Sequence, residues 1–284
     1  MRRPSVSVVV PFLGDRAAAA RTLAHLRELG AEPTDQLIVA DNSGSGIAAG
    51  ILGELATVVE ASAERSSYHA RNAGARVATH EWILFLDSDC APVEGLIDRY
   101  FEPAPAAADG ILAGSIANHP EHESLLARYA RSRGLYAGEA GFDGDGGYAP
   151  TGNLMVRRRA FEQLGGFEQG IRSAGDVDLC WRLQGRGWKL VRRPAAAAAH
   201  RHREDLASFV AMLIRYGAGA GWLNARYPGS APRWGLSPVE LARSGLDAAR
   251  HAAAGDREEA AFRVVDAVGL LAHNLGYRLS NEVG

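Results

Sequence analysis

Two aspartates separated by one small residue, Asp87-Ser88-Asp89, follow directly on five apolar residues, Trp82-Ile83-Leu84-Phe85-Leu86. The run reads as a buried strand, and a buried strand cannot hold that charge. The pair therefore belongs at the strand's carboxyl end, where an open α/β sheet presents ligands to its crevice. Pro92 keeps the strand from simply continuing. Carboxylates in a tight turn are hard oxygen ligands suited to Mg²⁺ or Mn²⁺, and a cation there neutralises a diphosphate. The same pair also suits the N-terminus of a helix beginning near Val93, so on these two residues alone a cap and a metal site are equally good readings.

A second carboxylate pair, Asp176-Val177-Asp178, opens a segment with Leu179, Cys180 and Leu183 on one face, stopped by Gly185 and Gly187. At a helix start Asp176 reads as an N-cap or as a base, and both roles can coexist because a capping position projects its side chain outward. Asp178 reads as structural, paired with Arg182 at i, i+4.

The elements that must position these groups alternate in the first ninety residues. Strands are expected at Ser5 to Phe12, Gln36 to Ala40, Thr57 to Glu60 and Trp82 to Leu86. Helices are expected at Arg16 to Leu29 and, capped by Ser66 or Ser67, through Ala78. Strand, crossover, strand is the sequence form of a doubly wound parallel sheet. The turn Asp41-Asn42-Ser43-Gly44-Ser45-Gly46 then lies on the same sheet edge as Asp87 and Asp89. Further on come a helix from about Val93 to Phe101, a strand around Gly110 to Ile116, and 119–136 as helix or loop. A glycine-rich loop, Gly138 to Gly152, precedes a short strand at Leu154 to Val156, a helix at Arg159 to Leu164 and a last strand at Trp188 to Val191. Three helices are expected after that: Asp205 to Leu223, Pro238 to Ala253 and Arg257 to Leu279.

With 284 residues, 47% of them hydrophobic, the chain can bury a large core, and Lys+Arg 31 against Asp+Glu 33 gives no basic field for nucleic acid. Cys90 and Cys180 lack zinc-type or disulfide-framework spacing, which points to a reducing, cytoplasmic setting. The opening residues read as a strand rather than a leader, and no uninterrupted apolar run reaches the length of a membrane span, so a soluble or at most peripheral protein is expected.

Taken in order, Val8-Val9-Val10-Pro11-Phe12, Ile38-Val39-Ala40-Asp41-Asn42-Ser43, Ala70-Arg71-Asn72-Ala73-Gly74, Leu84-Phe85-Leu86-Asp87-Ser88-Asp89, Gly165-Gly166-Phe167 and Asp176-Val177-Asp178-Leu179-Cys180-Trp181-Arg182-Leu183 resemble a family 2 glycosyltransferase. The resemblance runs from about Ser5 to His200. It implies a GT-A fold, with a nucleotide-binding half (1–100), an acceptor-binding half (101–203) and a C-terminal helical region (204–284). It also implies a nucleotide-diphosphosugar donor, Mn²⁺ or Mg²⁺, and inversion at the anomeric carbon.

Carried over by residue, Pro11, Phe12, Asp41, Asn42 and Arg71 would contact the nucleotide, and Asp87 the ribose or a metal-bound water. Asp89 and His200 would hold the metal, Asp176 would act as base, and Gly152, Asn153 and Trp181 would meet the acceptor. Gly175 stands where the family usually has Glu. The acceptor itself is open: a glycan, a lipid-linked sugar, a natural product or a peptide.

A sugar-1-phosphate nucleotidyltransferase is the enzymatic alternative, weakened because Pro11-Phe12-Leu13-Gly14-Asp15 is not a triphosphate-gripping loop. A non-catalytic nucleotide-sugar-binding protein of the same fold is the other. Phe209, Leu213, Ile214, Tyr216 and Trp222 give the first C-terminal helix an apolar face that must meet the catalytic domain, a second copy of the chain or a membrane surface.

Overall fold

The computed structural model describes residues 3–119, 123–135, 147–234 and 238–283, with 238–241 as backbone alone. Its elements are β1 (Val6–Phe12), α1 (Arg16–Glu28), β2 (Gln36–Asp41), α2 (Ile47–Leu52), β3 (Thr57–Glu60), α3 (Ser67–Arg76), β4 (Trp82–Leu86), β5 (Cys90–Pro92), α4 (Leu96–Tyr100), β6 (Asp109–Asn118), α5 (Leu125–Ser132), β7 (Asn153–Arg157), α6 (Arg158–Gln163), α7 (Gly175–Gln184), β8 (Lys189–His200), α8 (Leu206–Arg226), α9 (Pro238–Ala253) and α10 (Arg257–Gly276). Of the expected glycine-rich loop, 138–146 lies outside the described residues.

The strands form one eight-stranded mixed sheet in the order β3-β2-β1-β4-β7-β6-β8-β5. β1 to β4 are mutually parallel, as the alternating pattern predicts. β7 then enters antiparallel between β4 and β6, so the sheet is mostly parallel rather than wholly so. Residues of alternate parity on β1 feed two layers. Val6, Val8, Val10 and Phe12 join the core under α1, α2 and α4, while Val9 joins the opposite core with Phe85, Phe161 and Phe167. That is the burial pattern of a central strand covered on both faces.

A helix not expected from the sequence, α2, follows β2, and two further departures lie near the carboxylate turn. Cys90–Pro92 is a short edge strand, antiparallel to β8, and the helix after it begins at Leu96 with Gly95 as N-cap. β8 does not stop at Val191 but continues through the alanine run to His200. Its register against β6 jumps from Gly114↔Arg193 to Ser115↔Ala197, so Pro194 to Ala196 are looped out of the ladder, where a proline costs no hydrogen bond.

The C-terminal helices pack against α5 of the sheet-containing part. Leu126 and Tyr129 share one buried cluster with Phe209, Met212 and Leu213 of α8 and Phe262, Val265 and Ala272 of α10. Of the expected α8 face, Phe209 and Leu213 are buried, Ile214 and Trp222 half-buried, and Tyr216 exposed. By length and composition α8 is apolar enough to cross a membrane, although no uninterrupted apolar run marks it in the sequence. Among the described residues both cysteines are buried and free.

Candidate functional site

The crevice opens where β1 loses one of its neighbours. β1 pairs with β2 as far as Phe12↔Asp41 but with β4 only as far as Val9↔Phe85, so the central strands part at Pro11. With β2 on one side of β1 and β4 on the other, this is the topological switch point of the parallel half, the usual place for a ligand. At the β4 end the Asp87 N–H donates to the Gly152 carbonyl (3.1 Å) and the Cys90 N–H to the Asp87 carbonyl (3.0 Å), closing Asp87 to Cys90 into a tight turn. Because α4 starts only at Leu96, neither aspartate is a helix cap.

β5 then sets Cys90 opposite His200, which brings His200 Nε2 to 3.6 Å from Asp89 Oδ2. Burial raises the Asp89 carboxyl above its ordinary value, opposed by His200 and Arg203 and reinforced by Asp87. Below the turn, the Thr22 hydroxyl of α1 lies 3.0 Å from the Ala18 carbonyl and 3.4 Å from that of Ser88, and burial pushes the nearby His25 imidazole down.

Arg71 is not a solvated helix residue. It is 4% exposed and donates to Asp87 and to Ser67 Oγ (3.1 Å), with the Tyr68 ring 5.6 Å and the Phe167 ring 6.0 Å away. Its Nε has no partner in this structure. Asp41, at the end of β2, accepts from the Ser43 N–H (2.9 Å) and hydroxyl (2.6 Å).

Three sequence expectations need correction. The Asn42 amide is spent on the Ala61 and Glu64 carbonyls and so ties down its own loop. Phe12 points into the core under α1, and Pro11 beside it is buried as well. Asn153 is fully buried: its amide donates to the Ser115 (3.0 Å) and Ala196 (2.9 Å) carbonyls and accepts from the Tyr100 hydroxyl (2.8 Å), so it braces the sheet instead of meeting an acceptor.

Across the crevice Asp176 sits in the first turn of α7, but the N-cap is Ala174, so the capping reading of Asp176 also falls. Burial pushes its carboxyl up; the Val177 N–H and Arg71 oppose this and Asp87 adds to it. Asp176 therefore lies in the field of both partners of the Arg71–Asp87 pair. Tyr68 and Tyr148 feel its charge in turn. A Cβ on Gly175 would stand 2.8 Å from the Tyr68 ring, which explains why no glutamate occupies that position here.

Asp178 is structural as expected, and more deeply than expected. It is fully buried, with Arg182 Nε at 2.7 Å, Arg226 Nε at 3.0 Å and the Tyr227 hydroxyl at 2.8 Å. Gly152 lies against the Asp87 carboxylate, where a Cβ would be 3.2 Å from Oδ2, and Trp181 packs edge-on against Tyr227 (5.2 Å).

Among the described residues no group of three His, Cys, Asp or Glu side chains is placed to share a metal. Asp89 and His200 fit one divalent cation as a pair. Donors about 2.1 Å from a common ion lie at most about 4.2 Å apart, and theirs are 3.6 Å apart. A carboxylate and an imidazole suit Mn²⁺.

Thr22, His25, Tyr68 and Tyr148 are site residues that the sequence reading missed. Tyr68 alone left a signal, three residues before Arg71 and thus on the same helical face.

An open α/β sheet with paired carboxylates at its switch point and a facing carboxylate across the crevice has the architecture of the GT-A proteins. The chain belongs to Glycosyl transferase family 2, whose pattern matches residues 7–165. It is 34% identical over 168 residues to the pre-mycofactocin glycosyltransferase of Mycobacterium tuberculosis, a match covering 56% of this chain and 35% of that protein. Glycosyltransferase AglE of Haloferax volcanii is 27% identical over 128 residues, covering 45% and 41%. The chain thus spans well under half the length of the curated relatives it matches.

Among solved structures, the mannosyltransferase PcManGT of Pyrobaculum calidifontis, in complex with GDP-Man and Mn²⁺, superposes with a TM-score of 0.67 at 18% identity, covering 96% of this chain and 88% of that one. Glucosyl-3-phosphoglycerate synthase of Mycobacterium tuberculosis, with Mn²⁺, UDP-Glc and glycerol 3-phosphate, gives 0.56 at 16% identity, covering 78% and 80%. At these identities the likeness is one of fold.

Proposed function

We propose that this chain is an inverting glycosyltransferase that moves a sugar from a nucleotide-diphosphosugar to an acceptor hydroxyl. The observation that carries the reading is the facing of Asp176 and the Arg71–Asp87 pair across the crevice beside the Asp89–His200 pair. Asp41 at the end of β2 and Arg71, paired with Asp87 at the end of β4, hold the nucleotide between them. Asp89 and His200 would hold Mn²⁺ or Mg²⁺, which when bound would supply positive charge for the leaving diphosphate.

Asp176 accepts the proton of the acceptor hydroxyl as its oxygen attacks the anomeric carbon. The bond from that carbon to the diphosphate oxygen breaks on the opposite face, and the nucleoside diphosphate leaves with the electron pair. Burial that raises the Asp176 carboxyl makes it a stronger base than a solvated aspartate.

The test is nucleotide binding, followed by turnover. UDP-, GDP- and dTDP-sugars are screened for thermal stabilisation with Mn²⁺, where ligand at a hundred times its Kd adds about 2.7 kcal/mol. Asp89→Asn is expected to abolish the metal-dependent gain, and Asp176→Asn to keep it while transfer falls by roughly 10² to 10⁴. Equal nucleotide affinity with and without chelator counts against the metal pair. Nucleotide binding without any turnover in the wild type favours the non-catalytic alternative.

A further inference from the structure

Ala174 is the one non-glycine residue among those described with a left-handed backbone, φ 67°. That conformation costs an L-residue about 1–2 kcal/mol. It caps α7 without a side-chain hydrogen bond and stands two residues before Asp176, so its dihedral sets the direction in which the first turn of α7 leaves the loop. Something outside the residue must hold it there.

The loop is gripped from three sides. From the α3 side, Ser66 Oγ donates to the Ile171 carbonyl (3.1 Å), and the Glu64 carboxylate accepts from the Gly170 N–H (3.1 Å). From α8, the backbone of Gly219 lies so close that a Cβ there would be 2.8 Å from the Ser173 Cβ and 3.0 Å from that of Ala174. From the segment 280–283 comes a strip of antiparallel pairing. Ile171 bridges Glu282, the Arg172 N–H donates to the Asn281 carbonyl (2.9 Å), and the Val283 N–H donates to the Gly170 carbonyl (2.8 Å). The Arg172 guanidinium also donates to the Ser280 carbonyl.

Asn281 is the member of this strip that reaches the strained residue. It is 4% exposed, and its Nδ2 donates to the Ser173 carbonyl at 2.9 Å. That carbonyl belongs to the peptide joining Ser173 to Ala174, whose rotation about the N–Cα bond of Ala174 is φ itself. Anchoring that peptide plane, with the chain beyond Ala174 held by α7, restricts the dihedral.

We propose that the 280–283 segment is a latch on the catalytic loop, with Asn281 as a positioning residue that holds Ala174 left-handed and so aims Asp176 into the crevice. The catalytic consequence rests on Asp176 serving as the base; the positioning itself does not. Through this latch the helical region following β8 governs the geometry of a carboxylate on the sheet domain, which no motif in the first 200 residues encodes.

The test reads Asp176 directly, by ¹³C-carboxyl NMR titration of the full chain. In Asn281→Ala the Ser173 carbonyl loses its side-chain anchor while the backbone strip stays, Ala174 is released towards an ordinary backbone conformation, the Asp176 carboxyl gains water, and its titration midpoint is expected to shift down towards that of a solvated aspartate. Asn281→Leu, which roughly keeps the size and removes the donor without adding charge, serves in its place should the alanine variant not fold. Adding Ala174→Gly, which adopts positive φ without cost, is expected to move the midpoint back up.

A variant whose melting temperature falls while Asp176 titrates as in the wild type has lost only a structural contact, and that result overturns the proposal, as does a midpoint that Ala174→Gly fails to restore. With the base reading correct, transfer by Asn281→Ala drops tenfold to a hundredfold at unchanged donor KM. Undiminished transfer by Asp176→Asn removes the base reading and leaves the titration result standing.

Discussion

Asp176 and Asp178 lie two residues apart and meet opposite fates. Asp178 is fully buried among Arg182, Arg226 and Tyr227, so Asp178→Asn removes the charge that those cations solvate. The arginines are partly exposed and recover some hydration, which places the cost near the low end for a broken buried pair, about 3 kcal/mol by denaturant unfolding, with nucleotide binding retained.

Asp176 has a folded pKa raised above its ordinary 3.8, so the native state binds its proton more tightly than the unfolded chain does. The stability this contributes is complete below 3.8 and is lost as the pH rises through the raised value. Asp176→Asn is therefore expected to melt at or above the wild-type temperature at pH 7, with the gap closing as the pH falls below 3.8. A variant that melts lower at pH 7 would contradict the sign. The acid limb of the wild-type transfer rate should likewise lie above that of an ordinary aspartate.

At the scale of elements, the site depends on how β7 is seated. Asn153 at its start ties three segments together: Tyr100 at the end of α4, Ser115 of β6 and Ala196 in the looped-out stretch of β8. Gly114 admits this node, since a Cβ there would lie 2.4 Å from Asn153 Nδ2. Asn153→Leu keeps the bulk but removes the donor to two carbonyls in the core, while the Tyr100 hydroxyl still donates to the backbone carbonyl of residue 153 (3.0 Å), at about 1–3 kcal/mol for each orphaned carbonyl. The expected result is a large drop in the denaturation midpoint. Because β7 also supplies the chain that holds the Asp87 N–H, nucleotide affinity should fall with it as the temperature approaches the new transition.

Over the whole molecule, the helical region is held at close range by glycines. Extra Cβ atoms on Gly276 and Gly217 would stand 1.9 Å from the Ile214 carbonyl oxygen and 2.0 Å from that of His273, so α8 and α10 touch backbone to backbone. Gly276→Ala must push the helices apart, an overpacking that costs typically about 1–3 kcal/mol. Since α8 carries Gly219 against the Ala174 loop and Arg226 and Tyr227 against Asp178, the strain reaches α7. A calorimetric melt of Gly276→Ala unchanged from wild type would show that the two helices have room to spare.

Periodicity and punctuation in the sequence determined the parallel half of the sheet, the placing of Asp87 and Asp89 at a strand end, and the pairing of Asp178 with Arg182. Each of these is local, set by apolar runs, by i, i+4 spacing or by the incompatibility of charge with a buried strand. The tertiary structure decided what depends on partners far along the chain. The alanine run became a strand because β6 and β5 pair with it, overriding weak propensity. Arg71 became a buried partner of Asp87 because β4 ends beside α3, and Asn153 became a brace because three carbonyl and hydroxyl groups converge on it. Ala174 took a left-handed backbone because a segment more than a hundred residues later holds the adjoining peptide. Nothing in the composition near residue 174 carries that information, since the force that strains the residue belongs to the packing of distant elements.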